Sequence, residues 1–220
     1  MGLCAAGLPL ASAGVPAAPV TKRRRSRLEP AAPVEPVRSA PEIEIEPEAP
    51  AAPVEPAWQP TVLRREEWTP LAPADNHRAL GTVNRLTVHH TGADTRSMGV
   101  PDIVTVQRIE AYHRDELGWA CIGYHFLIGH DGTIYQGRPL DVQGAHVRDD
   151  NEGNLGVSLI GKFDEAPPSD EQLRSLAYVL ADAELYFGIG RRQVFAHREL
   201  SPTTCPGDQL FRWLQHYRRG

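Results

Sequence analysis

The sequence predicts an α/β fold, in which a single domain with a central mixed β-sheet flanked by helices follows a disordered tail rich in Pro, Ala and Glu. The first observation is the distribution of proline, since 12 of the 20 prolines lie in residues 1–60. The second is that, from residue 61 onward, short apolar runs of strand length alternate with segments of helical periodicity. We therefore assign residues 1–60 to a tail or linker and residues 61–220 to one domain, which is long enough to bury a substantial core.

The predicted strands are short runs of β-branched and apolar residues bounded by turn residues. They cover residues 86–90, 122–128, 133–136, 155–160 and 194–196. The run 155–160 is almost continuously apolar, which indicates a central strand buried on both faces. His130-Asp131-Gly132 predicts the turn of a hairpin between the second and third strands.

Three helices are predicted from apolar residues spaced three and four apart. The first covers residues 101–118 and begins at a proline, and the last covers residues 208–217. Between them, Ser169 is the predicted N-cap of a helix, with Gln172 in the capping-box position and Gly188 at its end. The buried stripe of this helix is predicted to consist of Leu173, Leu176, Leu180 and Leu185.

Composition argues against two classes of partner. The formal net charge is −5, because the tail holds 6 basic and 7 acidic residues and the domain holds 17 and 21. A domain of negative charge is a poor candidate for nucleic-acid binding. Residues 2–20 are apolar but rich in Ala, Gly and Pro, which argues against an integral membrane segment. Ala11-Ser12-Ala13 resembles a signal-peptidase site, although no basic residue precedes it, and we expect a periplasmic or secreted monomer.

The nine histidines, all in the domain, are the main chemical signal. The chain has neither an HExxH nor a CxxC motif, which excludes the zinc-protease helix, zinc ribbons and thioredoxin-like sites. Adjacent strand residues point to opposite faces, so only one of His89 and His90 can join a common site. Together with His197 and Cys205 it would give three nitrogen and sulfur ligands, the number that a catalytic zinc site uses. With Pro206 at the first position of the following helix, the helix dipole would stabilise the thiolate. A core histidine and an inert buried cysteine are the alternative interpretation.

A series of motifs occurs in a fixed order along the domain. They are Arg65-Glu66-Glu67-Trp68, Val88-His89-His90-Thr91, Gly118-Trp119, Gly123-Tyr124-His125-Phe126, Asp131-Gly132-Thr133, Gly144-Ala145-His146 and Thr203-Thr204-Cys205-Pro206-Gly207. Over residues 64–217 this series resembles the peptidoglycan recognition protein family, a branch of the zinc-dependent type 2 N-acetylmuramoyl-L-alanine amidases. The resemblance implies hydrolysis of the amide bond between N-acetylmuramic acid and the L-alanine of a peptidoglycan stem peptide. The alternatives are a non-cleaving peptidoglycan-binding module that uses the same groove and a zinc hydrolase that acts on another amide.

The resemblance also implies roles for particular residues. Three residues match the zinc ligands of the family, namely His89, His197 and Cys205. Tyr124 and Thr203 match residues that would hydrogen-bond the reacting groups. Five residues are expected to contact the muropeptide: Trp119, His125, Arg138, His146 and Asn151. Alternatively, His125 supports the metal ligands from behind and His146 is a surface loop histidine. The remaining histidines receive no specific role. Family members that lack the cysteine bind peptidoglycan without cutting it, so Cys205 implies an active enzyme.

The sequence departs from the family pattern in three places. No cysteine lies between His90 and Cys121, Cys121 itself replaces an aspartate, and Pro139-Leu140 replaces a Gly-Trp pair. These differences suggest a bacterial relative that folds without disulfides. Gly118-Trp119 matches family members selective for diaminopimelic acid over lysine, and Arg138 would bind the additional carboxylate of that ligand. Alternatively, Gly118 only ends a helix and Arg138 is solvated.

Overall fold

The computed structural model describes residues 58–93 and 95–220, so the tail predicted for residues 1–60 lies almost entirely outside the described residues. The described residues form one mixed sheet, as predicted, but it has six strands, one more than the five predicted. The strands are β1 (Val62–Leu63), β2 (Arg85–His90), β3 (Phe126–Ile128), β4 (Ile134–Gln136), β5 (Asn154–Leu159) and β6 (Val194–Ala196). Their spatial order is β1-β4-β3-β5-β2-β6, and the only antiparallel pair among these strands is the predicted hairpin of β3 and β4.

Helices cover both faces of this sheet. They are α1 (Arg65–Trp68), α2 (Asp102–Ala111), which continues as a π-helical turn (Tyr112–Glu116), α3 (Asp170–Phe187) and α4 (Asp208–Tyr217). The capping box predicted for α3 is confirmed, because Ser169 Oγ accepts a hydrogen bond from the Gln172 amide at 3.1 Å. Gly188 ends α3 in the left-handed conformation at φ 67°, which glycine adopts without steric cost.

Strand β5 separates two cores by the alternation of its side chains. Leu155, Val157 and Leu159 pack in the larger core, to which α3 and α4 contribute. The intervening residues Asn154, Gly156 and Ser158 point to the opposite face, where α2 covers a smaller core. All six residues of β5 are buried, which confirms the predicted central strand, but one of its faces is polar or small rather than apolar. This polar face becomes part of the site described below.

Two details of the predicted elements are wrong. Leu185 is 85% exposed, because a residue five positions after Leu180 lies about 140° further around the helix. Val179 and Ala183 complete the buried stripe instead. The strand predicted over 122–128 is only three residues long: residues 122–125 are irregular, and their backbone groups bond to the loops around residues 137 and 145 and to β5. Within the described residues, no helix is long and apolar enough to cross a membrane.

Candidate metal centre

Strand pairing brings two histidines together at one edge of the sheet. Val88 of β2 and Ala196 of β6 are register partners in a parallel pair, so the residues that follow them, His89 and His197, lie side by side. Their ring centroids are 4.5 Å apart. Cys205 approaches from the loop after His197, which is closed by a 2.9 Å hydrogen bond from the Arg198 amide to the Cys205 carbonyl. The ligand atoms of His89, His197 and Cys205 all lie within 4.8 Å of one another.

Of the two adjacent histidines, His89 is the one that faces this cluster. Its ring is 1% exposed, and its Nδ1 atom lies 3.7 Å from Cys205 Sγ. The His90 ring points to the opposite face, where its Nδ1 accepts a hydrogen bond from the Phe163 amide at 3.4 Å. The contribution of His90 is its backbone amide, which donates to Cys205 Sγ at 3.4 Å. Strand geometry left open which of His89 and His90 joins His197 and Cys205, and the structure shows that it is His89.

Tyr124 lies against the cluster, with its ring centroid 5.2 Å from that of His89. Burial, and secondarily the neighbouring Cys205, raise the pKa of Tyr124, so the phenol stays protonated and is a hydrogen-bond donor at neutral pH. The Ser158 hydroxyl of β5 lies beside this phenol. Sequence reasoning missed Ser158, although the alternation of polar or small residues with apolar ones in β5 was a readable signal.

Thr203 belongs to the same loop as Cys205. Its Oγ1 accepts a hydrogen bond from the Cys205 amide at 3.2 Å, and the residue is exposed to solvent. The hydroxyl proton is not used in that contact. Thr203 therefore helps to hold the cysteine loop, and its O–H group is available as a hydrogen-bond donor.

Aromatic rings extend from the cluster along one wall. The half-buried Trp119 packs on His113 with ring centroids 4.6 Å apart, and His113 lies 6.0 Å from Tyr124. His113, to which the sequence analysis gave no role, is buried, and its Nδ1 accepts a hydrogen bond from the Gly123 amide. The His113 ring thereby connects Trp119 to Tyr124, which contacts the cluster.

Two of the residues predicted to contact a ligand are structural. The His125 ring is 1% exposed, and both its nitrogens are bonded to backbone groups, those of Gly156 and Val142. The Arg138 guanidinium donates to the carbonyl groups of Cys121, Ile122 and Gln143, and the residue is 6% exposed. A guanidinium held in this way is neither solvated nor directed at a ligand carboxylate. Contact of either side chain with a ligand stays a prediction, because backbone groups already bond their polar atoms.

His146 is buried against the cluster, and the half-buried Asn151 holds the loop that carries it. His146 Nδ1 is 3.0 Å from His89 Nε2, and its own Nε2 is 3.1 Å from the Asn154 carbonyl. Burial lowers the pKa of His146 to about 3, so the ring is neutral. Asn151 Oδ1 accepts hydrogen bonds from the amides of His146 and Val147, both at 2.9 Å, and so fixes the loop that carries His146.

Residues 79–208 match the family described as N-acetylmuramoyl-L-alanine amidase. The chain belongs to this amidase family.

Similar proteins include both recognition proteins and amidases. The chain is 32% identical to peptidoglycan-recognition protein SC2 of Drosophila melanogaster over 157 residues, which are 69% of this chain and 83% of that protein. A solved structure of the amidase LysC from Clostridium intestinale superposes with a TM-score of 0.62 at 26% identity, covering 73% of this chain and 99% of the other. A mutant of Drosophila PGRP-LB in complex with tracheal cytotoxin gives a TM-score of 0.63 at 28% identity, covering 70% and 92%. The family and fold that the motifs predicted are confirmed.

The donor set of this amidase-family chain fits a zinc ion. Two imidazoles and one thiol converge, and zinc binds neutral histidine and thiolate. Burial holds the pKa of His89 well below its usual range and also lowers the pKa of His197. Both rings are therefore neutral, and each has one ring nitrogen with a free lone pair for a metal. Burial raises the pKa of the Cys205 thiol to about 11, and the His90 amide opposes this shift.

The expected helix-dipole support for the thiolate is wrong, because α4 begins only at Asp208, with Gly207 as its N-cap. Pro206 therefore precedes the helix. In the apo protein the buried thiol is protonated at neutral pH, so metal binding has to release its proton. The other described cysteine, Cys121, is buried and free, and its carbonyl group accepts a hydrogen bond from Arg138.

Proposed function

We propose that this chain is a zinc-dependent N-acetylmuramoyl-L-alanine amidase that cleaves the amide bond between N-acetylmuramic acid and L-alanine in peptidoglycan stem peptides. The observation that carries the proposal is the convergence of His89, His197 and Cys205, with all ligand atoms within 4.8 Å. Three ligands leave one position of a tetrahedral zinc for water or substrate, as in catalytic rather than structural zinc sites. The family to which residues 79–208 belong carries the name of this activity.

Zinc held by such a set supplies a Lewis acid and an activated water molecule near neutral pH. The chain's own contribution is to stabilise charge on the carbonyl oxygen of the scissile amide. The protonated Tyr124 phenol, beside the His89 ring, donates a hydrogen bond to this oxygen as negative charge develops on it. The proposal gives Thr203 a second hydrogen bond to the same oxygen, since its O–H proton is not used in its contact with Cys205.

The proposed ligand is a muropeptide or intact peptidoglycan, with Trp119 as a wall of the binding groove next to Tyr124. Support comes from the PGRP-LB structure in complex with tracheal cytotoxin and from the recognition proteins among the relatives. Peptidoglycan lies outside the cytoplasmic membrane, so the proposal includes a periplasmic or secreted location. The monomeric state and the bacterial origin remain predictions.

A second candidate function is favoured by the names of the relatives, several of which are recognition proteins. Such a protein would bind peptidoglycan in the same groove without hydrolysing it. The presence of all three ligand residues, including Cys205, supports the amidase over this alternative.

The experiment that separates the two functions uses the full chain loaded with zinc and purified sacculi. Mass spectrometry of the soluble fraction is expected to detect stem peptides with a free L-alanine amino group, and a chelator is expected to abolish their release. Cosedimentation with the sacculi measures binding independently. Binding without release of stem peptides would establish the non-cleaving function and overturn the proposal.

A further inference from the structure

His146 joins the metal cluster to the backbone of β5. The Asn154 carbonyl can only accept a hydrogen bond, so the neutral His146 ring carries its proton on Nε2, 3.1 Å away. His146 Nδ1 is then an acceptor, and its partner at 3.0 Å, His89 Nε2, must be the donor. A neutral His89 protonated on Nε2 has its lone pair on Nδ1, the atom that faces Cys205 Sγ at 3.7 Å.

We propose that His146 is a positioning residue that selects the metal-binding tautomer of His89 through this chain of two hydrogen bonds. The inference rests on the proposed function for the identity of the metal as zinc. Metal-ligating histidines commonly donate their second N–H to a fixed acceptor, which orients the ring and raises its basicity. In this chain the acceptor is a second histidine, held in turn by a main-chain carbonyl.

The His146 ring is packed tightly between two glycine residues. A Cβ atom added to Gly156 would lie 2.6 Å from His146 Cδ2, and one added to Gly144 would lie 2.6 Å from Nε2. Neither glycine has a positive φ, so space for the imidazole, not backbone conformation, requires them. Asn151 fixes the backbone on the other side by accepting from the His146 amide. The ring is therefore sandwiched between two glycines that carry no other part of the site.

The partner strand holds the acceptor in place. Thr87 of β2 donates to Asn154 Oδ1 at 2.9 Å, and Asn154 Nδ2 donates to the Asp150 carbonyl at 2.8 Å. β2 carries His89, and β5 carries the Asn154 carbonyl that accepts from His146. Both ends of the chain of hydrogen bonds are therefore anchored to the same pair of strands.

The direct test measures the tautomer in the full-length parent protein. Two-bond ¹H–¹⁵N correlation spectra of the ¹⁵N-histidine-labelled chain, in the apo and zinc-loaded forms, report which ring nitrogen carries the proton. The expected result is protonation on Nε2 for both His89 and His146. A proton on Nδ1 of His89 would overturn the proposal, whether or not the chain has amidase activity.

The variant series measures zinc affinity by competition with a chromophoric chelator and the visible spectrum of the Co²⁺-substituted protein. We expect His146→Leu to bind zinc about 10- to 100-fold more weakly, the usual effect of removing such a partner. His146→Gln can both accept and donate, and is expected to recover part of the loss. Gly156→Ala displaces the ring without touching a ligand and should weaken zinc binding in the same direction.

Two control variants should leave zinc affinity unchanged. Gly190→Ala introduces a Cβ that meets only the side-chain oxygen of Gln193, at 3.0 Å, and His216→Gln removes an exposed histidine. Zinc affinity within twofold of the parent in folded His146→Leu and Gly156→Ala would refute the positioning role. If the parent binds zinc but releases no stem peptide, the proposed function fails while the tautomer measurement still decides this inference.

Discussion

Replacement of Tyr124 by phenylalanine isolates the contribution of one hydroxyl group to the proposed reaction. The Tyr124 ring packs 5.2 Å from His89, and phenylalanine retains this contact. The hydroxyl lies beside Ser158 and Cys205 but is not a predicted zinc ligand. We therefore expect zinc content and KM close to those of the parent, with a lower kcat. Loss of one donor to a developing oxyanion typically lowers turnover on the order of 100- to 1000-fold, or about 2.7–4 kcal/mol.

The assay follows hydrolysis of a soluble muropeptide by the zinc-loaded full chain, with metal content measured on the same samples. Tyr217→Phe is the matched control, because it removes a hydroxyl that bonds Glu184 at the far end of α4. Burial and Cys205 raise the pKa of Tyr124, so its donor function should persist on the alkaline side of pH 10. A Tyr124→Phe enzyme with parental kcat would refute the role given to this hydroxyl, and loss of zinc from the variant would show that it supports the metal instead.

Three further predictions concern the ligands and the buried polar residues. Cys205→Ala is expected to abolish detectable zinc binding by the chelator assay and amide cleavage together, while Cys121→Ala retains both, since only Cys205 belongs to the ligand cluster. Arg138→Ala should lower the free energy of unfolding by on the order of 3 kcal/mol in urea titrations, because it leaves two buried carbonyl groups and one half-buried carbonyl group without a donor. The same variant should not alter the preference between diaminopimelic acid and lysine stem peptides. A changed preference with unchanged stability would contradict the structural role. Burial lowers the pKa of His113 and of His125 to about 4, so below pH 6.5 the unfolded chain binds more protons than the folded apo chain. The free energy of unfolding is therefore at its full value above pH 6.5 and falls as the pH decreases toward 4, by about 2 kcal/mol per histidine at pH 5. His125→Gln should make this pH dependence weaker.

The sequence predicted those parts of the fold that local physical rules determine. The capping box at Ser169 and the range of α4 need only neighbouring residues, and both are confirmed. Strand alternation predicted that only one of the two adjacent histidines could join a common site, and His89 is the one that lies with His197 and Cys205. The extent of β3 was not, since residues 122–125 bond to loops whose positions depend on the whole domain.

Three of the residues predicted to contact a ligand are buried, and their burial has a common physical cause. Arg138, His125 and His146 are polar residues in or beside the motifs, and polar residues are usually exposed. Here each is buried because backbone carbonyl or amide groups from distant segments satisfy it. The partners are peptide groups, which every residue carries, so side-chain identity gives no sign of them. Residue type therefore predicts that these side chains are polar, but it does not predict that they are buried.

One strand that contributes no metal ligand organises most of the candidate site. On a single face of β5, the Asn154 carbonyl receives His146, Gly156 leaves room for its ring, and Ser158 adjoins Tyr124. The register of β5 against β2 sets all three at once, because Asn154 pairs with Arg85 and Ser158 with His89. A shift of β5 by one residue would turn its leucine and valine side chains toward His89, His197 and Cys205. It would also turn the polar face of β5 into the apolar core. The apolar packing of the opposite face of β5 therefore sets the strand register. The same packing that stabilises the sheet holds His89 and its hydrogen-bond partners in place.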